Sequence, residues 1–251
     1  MADNYTLTDN IYATPERSSY NKFIWNAPTD QQEQEPGKLV TAEDEEVLAS
    51  DGTNEQKLAA SLHYLQDQYG FSKAGASGFL ACLNASSHMK LGAANKQEKN
   101  GQNSNVNKNQ YGIGIMQWTH GRHDDFLNYV KNNGGKADLK TQLDFGMTEL
   151  ARKPELLAKL QSIENPEDAA AYTWACFMAE QNKVSTLDTK EKLYKKINSI
   201  VEKKRRTYNG MGYKYNNGWT KRQGYANDIF AMAKNGTKLP SIDEINNILN
   251  Q

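Results

Sequence analysis

The 251-residue sequence has two cysteines, six prolines and no excess charge of either sign, since 30 Lys and Arg balance 30 Asp and Glu. Each shortage removes a class of protein. Cys82 and Cys176 fall in apolar helical patterns and lack the short spacing of a metal or redox motif. They read as small buried hydrophobes, and spacing leaves open whether they pair. A balanced charge makes no field for nucleic acid or anionic lipid, so no nucleic-acid specificity is expected. No stretch reaches the roughly 18 consecutive apolar residues of a membrane span. Met1 to Tyr20 has no basic start followed by an apolar run, so delivery outside a cell is expected to need a carrier other than a signal peptide.

What is present suggests one core with appendages. Residues 1–52 are poor in aliphatic side chains and rich in Asn, Asp, Gln and Glu, which predicts an extended or disordered arm. Tyr5, Tyr12, Tyr20, Phe23 and Trp25 suit anchoring of that arm on a partner surface. Order is predicted over residues 53–235. In "TNEQKLAASLHYLQDQYG", Thr53 and Gln56 form a capping-box pair, Leu58, Leu62, Leu65 and Tyr69 follow helical spacing, and Gly70 supplies the stop. A second helix runs from after Ser72 through Phe79, Leu80 and Leu83 to about Ala85. Residues 92–110 read as a polar surface loop. Helices are predicted over 122–132, 138–149, 155–162 and 166–182, the last marked by Asn165 as cap and Pro166 in the first turn. Charge clusters over 183–221 read as an exposed helix and a flexible insertion, and "RQGYANDIFAMA" resumes an amphipathic helix. The tail, 236–251, is predicted to hold a short helix begun by Ser241 with Glu244. The fold class is therefore mainly α with little strand.

Four groups of residues bear on chemistry. His63, His88, His120 and His123 lack H-E-x-x-H spacing or a cysteine set, so no metal is expected, and no cofactor motif stands out. Ser86 and Ser87 lack the G-x-S-x-G turn of a nucleophilic serine. "YGIGIMQWTHGR" offers Tyr111, Gln117 and Trp118 as a flat aromatic and amide wall suited to sugars, the alternative being Trp118 in the core. Glycosidic cleavage needs a carboxylic acid kept protonated in an apolar pocket. Glu180, after "AYTWACFMA", is the candidate, against the alternatives of an exposed helix edge or an Arg pair; Glu149 and Asp144 read as structural, and Glu98 lies in the polar loop.

Taken in order, "GFLACLNASSHM", "YGIGIMQWTHGR", "TQLDFGMTEL", "FMAEQ" and "RQGYANDIF" resemble the landmarks of the phage tail lysozyme family over about residues 55–233. The resemblance implies an α+β lysozyme-like, mainly helical domain that acts on peptidoglycan and travels in virion tails. It adds Thr119 and Arg122 to Tyr111, Gln117 and Trp118 as expected substrate-binding residues. The family's first motif resembles G-x-x-G-N-x-x-A-E-S-G, whose glutamate is the general acid. Ser86 stands in that place, Ala85 and Ser87 match, and Ala81, Cys82 and His88 depart where the family favours Gly, Asn and Gly.

A serine hydroxyl does not titrate near neutral pH, and losing general-acid assistance removes roughly 10²- to 10⁴-fold in rate. The resemblance therefore implies a phage virion protein, of the tail or an internal core, with a degenerate lysozyme-like domain that is structural or peptidoglycan-binding. The alternative is an active muramidase or lytic transglycosylase with Glu180 as substitute acid. Expected partners are other virion proteins, met through the arm and tail in several symmetric copies assembled in the host cytoplasm, and peptidoglycan. If the groove lacks only its proton donor, Ser86→Glu alone restores cleavage in a cell-wall zymogram.

Overall fold

Capping signals in the sequence become helix ends in space. A computed structural model describes residues 39–95, 99, 109–179, 182–210 and 218–235, which belong to one unit. In chain order its helices are α1 (Ala42–Ala49), α2 (Asn54–Tyr69), α3 (Lys73–Ser87), α4 (Gly121–Asn132), α5 (Leu139–Ala151), α6 (Pro154–Ser162), α7 (Pro166–Thr173), α8 (Lys190–Gly210) and α9 (Gly218–Asn235). Among the described residues the β pairing is confined to isolated bridges, Ala94 with Ile113 and Ile113 with Trp118. The fold is mainly α, and no described helix is long and apolar enough to cross a membrane.

Both halves of the Thr53 capping box form: the Thr53 hydroxyl accepts from the Gln56 amide at 3.2 Å, and Gln56 Oε1 accepts from the Thr53 amide at 2.9 Å. Gly70 then closes α2 at φ +64°, a left-handed value that glycine adopts without penalty. Ser72 caps α3, accepting from the Gly75 amide at 2.9 Å, and its hydroxyl donates to the Ile163 carbonyl at 2.5 Å. One side chain thus starts α3 and ties it to the end of α6.

Helix α3 is the hub. Every residue from Ala74 to Asn84 is buried, which an α-helix tolerates only if it is apolar or small on all faces. Glycine lets its neighbours come to van der Waals contact with its backbone. A Cβ on Gly78 would lie 2.4 Å from the Ala170 amide nitrogen and 2.5 Å from the Ala169 Cβ, and one on Gly75 would lie 1.8 Å from the Leu160 carbonyl oxygen. Helix α9 packs on another side of α3, and Gln223 and Asn227 fasten it to α7 by donating to the two carboxylate oxygens of Glu167 at 2.9 Å each.

The described part of the arm is not extended. Leu39 and Val40 donate their amides to Asp67 Oδ2, both at 2.8 Å, and α1 follows from a second capping box between Thr41 and Asp44. Val40, Val47 and Leu48 are buried against the core. Three apolar side chains in a run of acidic ones are enough to dock a helix of two turns, though too few to mark one in the sequence. The charged segment after residue 183 holds the expected helix, with one face buried rather than exposed throughout. It contains α8, whose Leu193, Ile197 and Ile200 form a buried stripe, so the lysines and arginines occupy the other faces of an amphipathic helix. The predicted helix over 166–182 leaves α-geometry early: α7 ends at Thr173 and continues as a π-helical turn, Trp174–Ala179. The arm before residue 39 and the predicted tail helix lie outside the described residues.

Asp44 joins α1 to α2 through a 2.9 Å contact with His63 Nδ1. Burial pushes the Asp44 carboxyl up, but hydrogen bonds from the Thr41 amide, His63 and the Thr41 hydroxyl outweigh it and hold the group below the ordinary 3.8. A carboxyl so depressed stabilises the fold above its unfolded pKa, and that contribution is lost as pH falls through the lower folded value. Asp44→Ala is expected to remove about 1–2 kcal/mol at pH 7 and progressively less below about pH 4, as read by thermal melts across that window. Gly78→Ala, which forces α3 and α7 apart, is expected to destabilise by about 1–3 kcal/mol in urea titrations.

Candidate functional site

The segment after the polar loop is folded by a single amide side chain. Gln142 of α5 is buried; its Oε1 accepts from the Ile115 amide at 2.9 Å while its Nε2 donates to the Leu91 and Ala137 carbonyls at 3.1 and 2.7 Å. Gly114, at φ +69°, passes so close that a Cβ would lie 2.6 Å from Gln142 Oε1 and 2.7 Å from Trp118 Cζ3. At the other end, the Ser87 hydroxyl donates to the Ile115 carbonyl at 2.9 Å. These bonds bring residues 78–88 and 111–122 together, as the resemblance requires.

Between them lies a cleft of about 190 Å³. Helix α3 contributes Ser86, the loop contributes Met116, Gln117 and Thr119, and α4 contributes Arg122. Trp174 and Phe177 of the π turn form the opposite wall, with Lys204 of α8 and Arg222 of α9 completing the rim. Of the residues expected to bind substrate, Gln117, Thr119 and Arg122 therefore line the cleft.

Tyr111 and Trp118 do not. Trp118 is 0% exposed, with its ring stacked on Phe126 at 4.4 Å and edge-on to Phe145 at 5.2 Å. Both ring faces serve the core, so none is left for a sugar. Tyr111 packs edge-on to His123, whose Nδ1–H donates to the Tyr111 carbonyl at 2.6 Å. Sequence reasoning missed Trp174, Phe177, Lys204 and Arg222. The aromatics stood in the quoted run "AYTWACFMA", yet nothing there distinguishes a cleft wall from core; Arg222 lies 136 residues from its partner Ser86.

The carboxylates near the cleft hold structure together. Glu149 accepts from Arg122 Nε and Nη2 at 2.6 and 2.8 Å and from Trp118 Nε1 at 2.8 Å, so both its oxygens are engaged. Asp144 accepts from the hydroxyls of Tyr64 and Tyr69 and from Lys140 at 2.5, 2.7 and 2.6 Å. None of the described lining residues is a carboxylate. Glu180 and Glu98 lie outside the described residues.

At the end of α3 stands a serine facing a cation. The Ser86 hydroxyl donates to the Cys82 carbonyl at 2.9 Å and accepts from Arg222 Nη2 at 3.3 Å. Arg222 lies over the Trp174 ring, 4.6 Å from its centroid, and Nη1 donates to the Gly218 carbonyl at 2.7 Å. The thiols are inert: Cys82 and Cys176 are free and buried, and burial pushes each up to about 11, against an opposing pull from Arg222 at Cys82. His88 ends α3 at φ +52°, where a glycine would sit without strain.

A helical hub ending at a small polar cleft, closed by a glycine-bearing loop, is the arrangement of a lysozyme-like domain. The chain belongs to the phage tail lysozyme family, whose pattern it matches over residues 56–232, from the first turn of α2 into the last turns of α9. It is accordingly a phage-associated lysozyme-like protein of a peptidoglycan-directed family. No curated protein and no solved structure matches it.

Glu149→Ala strands the Arg122 guanidinium and the buried Trp118 N–H, and is expected to lose about 2–3 kcal/mol in chemical denaturation. His88→Gly is expected to gain about 1 kcal/mol by relieving the left-handed cap, seen as a raised melting temperature.

Proposed function

We propose that this protein is a phage virion component whose lysozyme-like domain binds peptidoglycan with little or no cleavage. The observation that carries the reading is the pair at the acid position, Ser86 with the Arg222 guanidinium 3.3 Å away. Protonating a glycosidic oxygen needs a neutral carboxylic acid, favoured by an apolar pocket and disfavoured by a nearby cation. Serine supplies no such proton, and the surroundings are now those that would keep any acid ionised. The described carboxylates nearby are spent on Arg122, Trp118 and the tyrosines of α2. Binding needs none of them: Gln117, Thr119 and the polar rim remain to meet sugar hydroxyls. In this reading the arm and the tail dock the domain among other virion proteins, in several copies assembled in the host cytoplasm.

A second reading keeps an active muramidase or lytic transglycosylase with Glu180 as acid. It is favoured by one observation, that the preceding residue, Ala179, lines the cleft.

Purified cell walls separate the two. The parent chain is expected to sediment with walls and to release reducing ends no faster than a buffer control. Wall lysis by the parent, lost in a folded Glu180→Gln variant, would establish the second reading and remove the first. Ser86→Glu alone is now expected not to restore cleavage, contrary to the simpler reading of the motif, because an opposite charge within about 4–6 Å lowers a carboxyl pKa by roughly 1–3. Ser86→Glu combined with Arg222→Met restores the conditions for a protonated acid, and release of reducing ends by the double variant alone is the expected result.

A further inference from the structure

The cleft presents cations where a glycosidase presents acids. Ser86, Arg122, Lys204 and Arg222 line it, and none of the described lining residues carries negative charge. Arg122 is neutralised by Glu149. Arg222 has no ion pair among the described residues: its contacts are the Gly218 carbonyl, the Ser86 hydroxyl, the Cys82 thiol and the Trp174 ring, and its Nε is buried without a hydrogen-bond partner. A guanidinium carries five N–H donors in a planar fork suited to oxyanions. Here one terminal nitrogen is drawn to the carbonyl of its own helix and the other reaches toward a weak acceptor at 3.3 Å, so donors remain for a ligand. Stacking on Trp174 fixes the plane of the fork, which reduces the ordering needed on binding.

We propose that the cleft is an oxyanion site in which Arg222, steadied by Trp174 and Ser86, receives a carboxylate or phosphate of the cell-wall polymer where the family's acid would have stood. This rests on the wall-binding reading above and adds its chemical selectivity. Peptidoglycan carries carboxylates on its stem peptides, and on its lactyl groups where the peptide has been removed, and other wall polymers carry phosphodiesters; both present the same pair of oxygens to the fork. The acid position has thereby changed from donating a proton to holding a negative charge.

Titration of the full chain with N-acetylmuramic acid, N-acetylglucosamine and glycerol phosphate, by calorimetry or NMR at fixed ionic strength, tests this. The first two share a ring and differ in the carboxylate. The parent is expected to bind at least one of the two anions about tenfold or more tightly than the neutral sugar, and to lose that preference as salt rises from low to high. Preference for N-acetylmuramic acid names the carboxylate as ligand; preference for glycerol phosphate names the phosphate. Arg222→Met, which retains apolar contact with Trp174, is expected to abolish the preference. Should that variant not fold, Ser86→Glu serves instead, since an internal carboxylate occupies the fork and should abolish anion binding while leaving Arg222 in place. Equal binding of all three ligands, or a preference that survives either folded variant, overturns the proposal. Sedimentation with intact walls reports the underlying reading separately: walls retained equally by parent and Arg222→Met would leave wall binding standing and remove the anion site.

Discussion

The contact on which the structure depends is that between the backbone of α3 and its neighbours at Gly75 and Gly78. A methyl group at either place would overlap main-chain atoms of α6 or α7. Because α3 is enclosed, its direction is fixed by packing from every side, and its last turn is delivered to one spot. Close packing transmits such a constraint well, since cores resist small displacements. Ser86 and Ser87 therefore meet the loop at Ile115 and the side chain of Arg222 with little freedom. The same geometry would have delivered a catalytic glutamate equally well. Scaffold and chemistry are separable here, since packing sets where residue 86 sits and not what it does.

A proton-donating carboxyl needs surroundings that oppose charge, whereas the described cleft is cationic at its rim. Arg222 also acts on Cys82, one turn before Ser86. The residues of "GFLACLNASSHM" that the resemblance singles out thus fall into two sets. Cys82 and Ser86 face the guanidinium. His88 belongs instead to the helix end, where its positive φ is a backbone matter unrelated to the cleft.

Much of this was legible in the residues. Thr53 with Gln56, Ser72, and Asn165 before Pro166 mark helix starts through local hydrogen bonding, which needs no tertiary information. Ser86 was equally plain as the residue that the resemblance sets at the acid position. What escaped depends on distance or on competition. Helix α1 was hidden because its docking rests on Asp44, an acid that reads as solvated and is instead held by Thr41 and His63. Helix α8 was expected as an exposed helix, and its buried stripe was hidden because ten charged residues between Lys190 and Arg206 mask three aliphatic ones at helical spacing. Trp118 was assigned to the cleft because a wide ring beside glycines suits a sugar; the core had the stronger claim on the same surface. Arg222 could not be placed at all, since nothing local links it to Ser86.

The π turn over Trp174–Ala179 sets the wall of the cleft by its winding as much as by its residues. Wider turns of this kind hold one residue more than an α-turn would. Removing a single residue would let the turn rewind as α-helix with its flanks kept in register, and the side chains within the turn would change their facing. Phe177 and Met178, which line the cleft, are among those displaced. Ligand preference in this domain is thus open to revision by a lesion of three nucleotides that leaves its composition almost untouched.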